Sequence, residues 1–180
     1  MKEVAQLSWS THGPLLAQEF LRKHGIPLVI EPHLPQTRLD GAAVMAAPDR
    51  PVIGLTLRHD RVDSFWHCLM HELSHVSLHL RHDADGFYDD LDADVADDPI
   101  EREADALAGE TLIPRDAWEH SPAKNLRSPE AARHLAEKLR IHPAIIAGRM
   151  RHEAKNFRIL GQLVGQGQVR HLFRDGWPAK

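Results

Sequence analysis

One stretch constrains this chain more than any other: Phe65 to His82, which reads FWHCLMHELSHVSLHLRH. It holds neither glycine nor proline, so nothing in it interrupts a helix. At about 100° per residue, His75 falls roughly 40° from His71, with Cys68 and Glu72 nearby on the same flank. Phe65, Trp66, Leu69, Leu73, Val76 and Leu80 gather on the opposite side. The stretch therefore reads as a helix with one apolar face and one chemical face. On the chemical face, His71-Glu72-Leu73-Ser74-His75 forms the HExxH pattern. Side chains four residues apart lie one turn apart, so both imidazoles can reach one metal ion. Glu72 is then placed to take a proton from an activated water. The chain holds 14 histidines, and a surface helix could acquire five such letters by chance. The apolar face opposite the pattern argues instead for a built site.

A catalytic zinc needs three protein ligands and one open position. His79 lies about 12 Å along the axis from His71 at 1.5 Å rise per residue, too far to share an ion with it. The extended HExxHxxGxxH pattern fails, because Leu78 stands at the glycine position and Arg81 at the third histidine. The third ligand must come from a second helix. Pro99 opens one, PIEREADALAGETLIP, with Leu107, Leu112, Ala104, Ala108 and Thr111 as its packing face. Glu101 is the expected third ligand, with Glu103 as the alternative. Asp105, one turn beyond Glu101, is placed to accept a hydrogen bond from a ligand histidine and fix its tautomer. Without the upstream pattern, these acids would read simply as a first turn that complements the helix dipole.

The 180 residues suit one domain with a proper core. Hydrophobic content of 42% and charged content of 27% are ordinary for a soluble globular protein. A formal charge of −4 supplies no global attraction to nucleic acid. The single cysteine permits no internal disulfide. The N-terminal segment lacks an apolar core, and no run of about 18 apolar residues exists, so the chain is expected in the cytoplasm with no membrane span. The fold expected is α+β, mostly helical, with a small antiparallel sheet beside the HExxH helix. Residues 1–180 form one domain: 13–114 hold the sheet, the metal helix and the third-ligand helix, and 128–160 a C-terminal helical part.

Gly13 to His24 reads as the first helix, closed by Gly25. Pro27–Pro32, Asp40–Ala47 and Pro51–Leu57 read as three strands, the last two joined through Pro48, Asp49 and Arg50. In zinc peptidases an edge strand near the metal helix often holds substrate as an added strand; Leu55–Leu57 or the hairpin before it could serve. Asp83 to Asp98 holds eight aspartates and no basic residue, which reads as a solvated loop or a flap beside the cleft. It lacks the spacing of a calcium loop. Tyr88 within it, His120 and His142 are the candidate oxyanion donors. Cys68 reads as a small buried filler. Ser128-Pro129-Glu130 opens a helix, Ala144–Glu153 forms the next, and the tail is expected to carry a short strand. Arg133, Lys138, Arg140, Arg149, Arg151, His152, Lys155 and Arg158 cluster in this half. They read as the solvated face of a helical hairpin rather than a DNA-binding surface.

HELSH together with Glu101-Arg102-Glu103-Ala104-Asp105-Ala106-Leu107-Ala108 and Leu112-Ile113-Pro114 resembles the ImmA/IrrE family of bacterial zinc peptidases. The likeness runs from about Gly13 to Glu153. It implies a gluzincin-like site: one Zn2+ on His71, His75 and Glu101, with Glu72 as base. It also implies a small α+β domain that acts on helix-turn-helix repressors in stress response or mobile-element control. The segments HGIPLVIEP, LDGAAV and PVIGLTLRHDR resemble the members fused to such a DNA-binding domain in antitoxin-like regulators. About a dozen residues precede the first expected helix here, so operator binding is expected from a partner, a repressor or toxin-antitoxin component. The rival expectation is a zinc-containing module that binds such a partner without cutting it.

Overall fold

The computed structural model describes residues 1–33, 36–37, 39–80 and 98–176. The acidic run from Asp83 to Asp97, and Tyr88 within it, lie outside the described residues.

The chain begins with a helix that the sequence reading did not expect. α1 (Lys2–Leu7) buries Val4 and Ala5, and α2 follows at Gly13–Lys23. α1 is too short to be stable alone; it stands because it packs on α2 and on a later helix. Pro14 opens α2, and Gly25 turns the chain at φ +80° after its end. Gly13 allows the two helices to meet closely, since a Cβ there would lie 2.6 Å from the Leu7 carbonyl oxygen.

Three strands follow: β1 (Leu28–Ile30), β2 (Gly41–Ala47) and β3 (Arg50–Leu55). Pro48 and Asp49, the latter at φ 59°, make a tight hairpin between β2 and β3. The sheet order is β1-β3-β2, with β1 parallel to β3 and β2 antiparallel to it. The sheet is therefore mixed, not antiparallel as expected. β1 and β2 flank β3 on opposite sides, and at one end Glu31 N–H donates to Leu55 O and Thr56 N–H to Asp40 O. β3 is consequently the central strand, so Leu55–Leu57 offers no edge for an added strand. The edges are β1, where Gln18 Nε2 donates to Leu28 O, and β2.

α3 (Val62–Leu78) starts three residues earlier than expected and ends four earlier. Arg61 binds Asp63 Oδ1 at 2.9 Å and Ser64 Oγ at 2.9 Å, which draws the first turn forward to Val62. At its other end, His79 and Leu80 N–H both donate to His75 O and close the helix without a glycine. Phe65, Trp66, Leu69 and Met70 are fully buried, and α3 is packed by β2, β3, α4 (Pro99–Leu112) and a C-terminal helix. Asp98 caps α4 by accepting from Ile100 N–H at 2.9 Å.

Beyond it come α5 (Arg115–Glu119), α6 (Ala123–Leu126), α7 (Pro129–Leu139) and α8 (Pro143–Glu153). Ser128 caps α7 through Ala131 N–H, and His142 caps α8 through Ala144 N–H. α8 buries Ala144, Ile145, Ile146, Ala147, Met150 and Arg151 and packs on both α7 and α3. Arg149 lies over Trp118 and donates to Ile113 O, and Arg151 is buried, so this half presents no continuous basic face made of all its cations. Among the described residues the tail forms 3-10 turns at Gly161–Leu163 and Arg170–Gly176 rather than a strand; one isolated bridge joins Arg61 and Gln166. No helix among the described residues is long and apolar enough to cross a membrane.

Candidate metal centre

The site is assembled by two helices that approach through small residues. α4 turns Ala104 and Ala108, both fully buried, toward the interior, and the α3–α4 pairing is the most extensive between helices. Glu101, Ala104, Asp105, Ala108 and Leu112 share one face of α4 by the three- and four-residue rule. Packing the alanines therefore delivers the two acids to the chemical face of α3.

There His71 Nε2 lies 3.0 Å from one Glu101 carboxylate oxygen, and His75 Nε2 lies 3.3 Å from the other. The two Nε2 atoms are 2.9 Å apart. A tetrahedral ion about 2.0–2.1 Å from each donor needs them about 3.3 Å from one another. The trio is thus already at the spacing of a zinc shell, two nitrogens and one carboxylate, with His75 buried and the other two half-buried. Of the two glutamates, Glu101 meets the histidine pair. Glu103 lies beside His79 instead, its Oε2 3.4 Å from His79 Nε2, and is largely solvent-exposed.

His71 Nδ1 donates to Asp105 Oδ1 at 2.8 Å. This bond fixes the tautomer that leaves Nε2 free to face the trio. Burial works against charge on His71, but the Asp105 bond and the charges of Glu72, Asp105 and Glu101 outweigh it and hold its pKa up at about 9. Burial, aided by His71 and His79, presses His75 down to about 4. Two imidazoles in contact cannot both be charged. The same His71 bond holds Asp105 below the usual carboxylate range.

Glu72 is 6% exposed. Its carboxylate lies against β2: a Cβ added at Gly41 would stand 2.6 Å from Glu72 Oε1 and 3.0 Å from its Cγ. Only glycine lets the strand and the side chain come this close. Cys68, one turn before Glu72, is a thiol that burial, with the charges of Asp40 and Glu72, pushes up to about 12. It is a poor nucleophile there and serves as filler.

A family model, the IrrE N-terminal-like domain of the peptidase M78 family, matches residues 21–151. The chain belongs to that family. The match spans the whole sheet, α3, α4 and nearly all of α8, and contains His71, Glu72, His75 and Glu101. Membership in a peptidase family gives the domain a metallopeptidase-type function, and the trio is its metal-binding candidate. No curated protein matches the chain.

The remaining sequence candidates stand elsewhere. His120 is exposed at the end of α5, its Nδ1 2.9 Å from Asp116 O. His142 is committed to capping α8 and lies among Ser10, His12, Trp66 and His171. Neither joins the trio. Two residues of the site were not foreseen. Gly41 gave one signal, a glycine opening a strand pattern. His79 gave another, its place four residues beyond His75; dismissed as a ligand, it instead meets the outer nitrogen of His75.

Proposed function

We propose that this domain is a zinc-dependent endopeptidase in which His71, His75 and Glu101 hold the ion and Glu72 is the general base. The observation that carries the reading is the convergence of two Nε2 atoms and one carboxylate within 3.3 Å, beside a buried glutamate on the same helix. Bound there, zinc would supply Lewis-acid activation of a water and of the scissile carbonyl. Glu72 accepts the proton of that water and passes it to the departing amine. Asp105 holds His71 in the ligating tautomer. Gly41, at the start of β2, stands against Glu72, and β2 is an edge strand, with no second strand paired to it among the described residues. An extended substrate segment added to that edge would run past the base.

The family resemblance directs the reading to a protein substrate in the cytoplasm: a helix-turn-helix repressor or a toxin-antitoxin component, in stress response or mobile-element control. Operator contact would then belong to the partner. A second reading keeps zinc and partner binding without hydrolysis. Glu72→Gln separates them. It preserves volume and the ligands but removes the base, so cleavage of a co-expressed genomic neighbour should fall by about 10²–10⁴-fold. Mass spectrometry of that neighbour reads the result. Equal cleavage products, or an equal absence of them, with and without Glu72 would end the peptidase reading.

A further inference from the structure

His71 and His75 occupy equivalent positions one turn apart, yet their outer nitrogens meet different partners. Nδ1 of His71 meets a carboxylate directly. Nδ1 of His75 lies 3.0 Å from Nδ1 of His79, and Nε2 of His79 lies 3.4 Å from Glu103 Oε2. The His79 side chain is 9% exposed, while Glu103 sits in solvent. The three groups form a line leading outward from the metal trio.

We infer that His79 and Glu103 are positioning residues for the metal centre, a relay that orients His75 through an intervening imidazole. The inference rests on the zinc reading of the trio. The proton positions follow from elementary bookkeeping along the line. To ligate through Nε2, neutral His75 carries its proton on Nδ1 and donates it outward. His79 then accepts at Nδ1 and holds its own proton on Nε2. That N–H has an acceptor waiting in Glu103. Each tautomer dictates the next, and the chain ends on a carboxylate, as it does for His71 in one step. The two ends of α3's chemical face thus use a short and a long version of one device. The i, i+4 spacing of residues 71, 75 and 79 provides both the ligand pair and the relay pair on one stripe.

The test compares His79→Leu, His79→Gln and Glu103→Gln with the parent. Leucine fills the volume but offers no acceptor; the glutamine amide oxygen can still accept from His75. Zinc affinity, measured by competition with a chromophoric chelator, is expected to fall about 10–100-fold in His79→Leu. His79→Gln should recover most of the loss, and Glu103→Gln should lose less than the leucine variant. The visible spectrum of the cobalt-substituted domain gives a second readout, since a misoriented His75 changes band position and intensity. Equal affinity and an equal cobalt spectrum in His79→Leu would overturn the relay while leaving the trio intact. Failure of the parent itself to bind one zinc would overturn the metal reading and the relay with it. Melting of the metal-free variants separates simple packing loss: a lowered melting temperature with unchanged affinity counts against the relay.

Discussion

Two helix pairs in this molecule use the same small side chain for different ends. α7 and α8 close on each other with Ala132, Ala136, Ala144 and Ala147 buried, and leucine and isoleucine fill the rest of the contact. α3 and α4 also close over alanines, Ala104 and Ala108, but the α4 face continues into Glu101 and Asp105, and the α3 face into His71 and His75. In the first pair, tight approach yields only core. In the second, it holds four ionisable groups at hydrogen-bond distance: His75 buried, His71 and Glu101 partly buried, and Asp105 exposed. Burying ionisable groups is unfavourable unless they are paired, and here each has a partner across the α3–α4 contact. The candidate site is where close packing of small residues brings ionisable groups together.

The sharpest way to break the comparison is to remove the groups the α3–α4 contact presents. Glu101→Ala takes one of the three donors and should lower zinc affinity by more than about 100-fold, whereas Asp105→Asn, which only loosens His71, should lower it by about 10–100-fold. Calorimetric titration with zinc distinguishes the two.

The next largest effect comes from the alanines themselves. Ala108→Leu and Ala132→Leu each force extra methylenes into a filled contact, at about 1–3 kcal/mol in denaturant unfolding of the metal-free domain. Only Ala108→Leu should also weaken zinc binding by the folded molecule, because only that contact sets the position of Glu101. Equal zinc affinity in both variants would show that α4 is held by something other than its alanines.

A further effect, spread over about two pH units, is a slope in zinc affinity. Metal-free His71 holds its proton up to about 9, and a metal must displace it. Apparent zinc affinity should rise about tenfold per pH unit from pH 7 and flatten above 9, with one proton released per ion in the lower range. His75, at about 4, contributes nothing to the slope there. Asp105→Asn removes the main support of the raised value, so the bend should move to lower pH.

Much of this could be read in the residues. The HExxH helix, the Pro99 helix and the hairpin through Pro48-Asp49 each carry a local signal, either periodicity or a proline or turn residue at the start, and each formed close to its expected bounds. The α+β class followed from them. What stayed hidden is whatever tertiary contact decides. α1 has no helical length of its own and exists by packing. β1 carries no local signal for its direction; it pairs with β3 in parallel, on the side away from β2. Among the described residues, the tail meets a single bridging partner, at Arg61 and Gln166. At the site, the histidine pair was within reach of sequence spacing, because helix geometry fixes angle and rise; between Glu101 and Glu103 the spacing left the choice open, and the packing of α4 on α3 decides it. The His79 relay and the contact between Gly41 and Glu72 depend on where neighbouring groups end, which spacing alone does not encode.

That last contact leaves the carboxylate of residue 72 with its back to a wall. A Cβ at residue 41 would stand 2.6 Å from its Oε1, so the carboxylate keeps this seat only while that residue is glycine. Lengthening residue 41 by a single methyl group would push that carboxylate from its place.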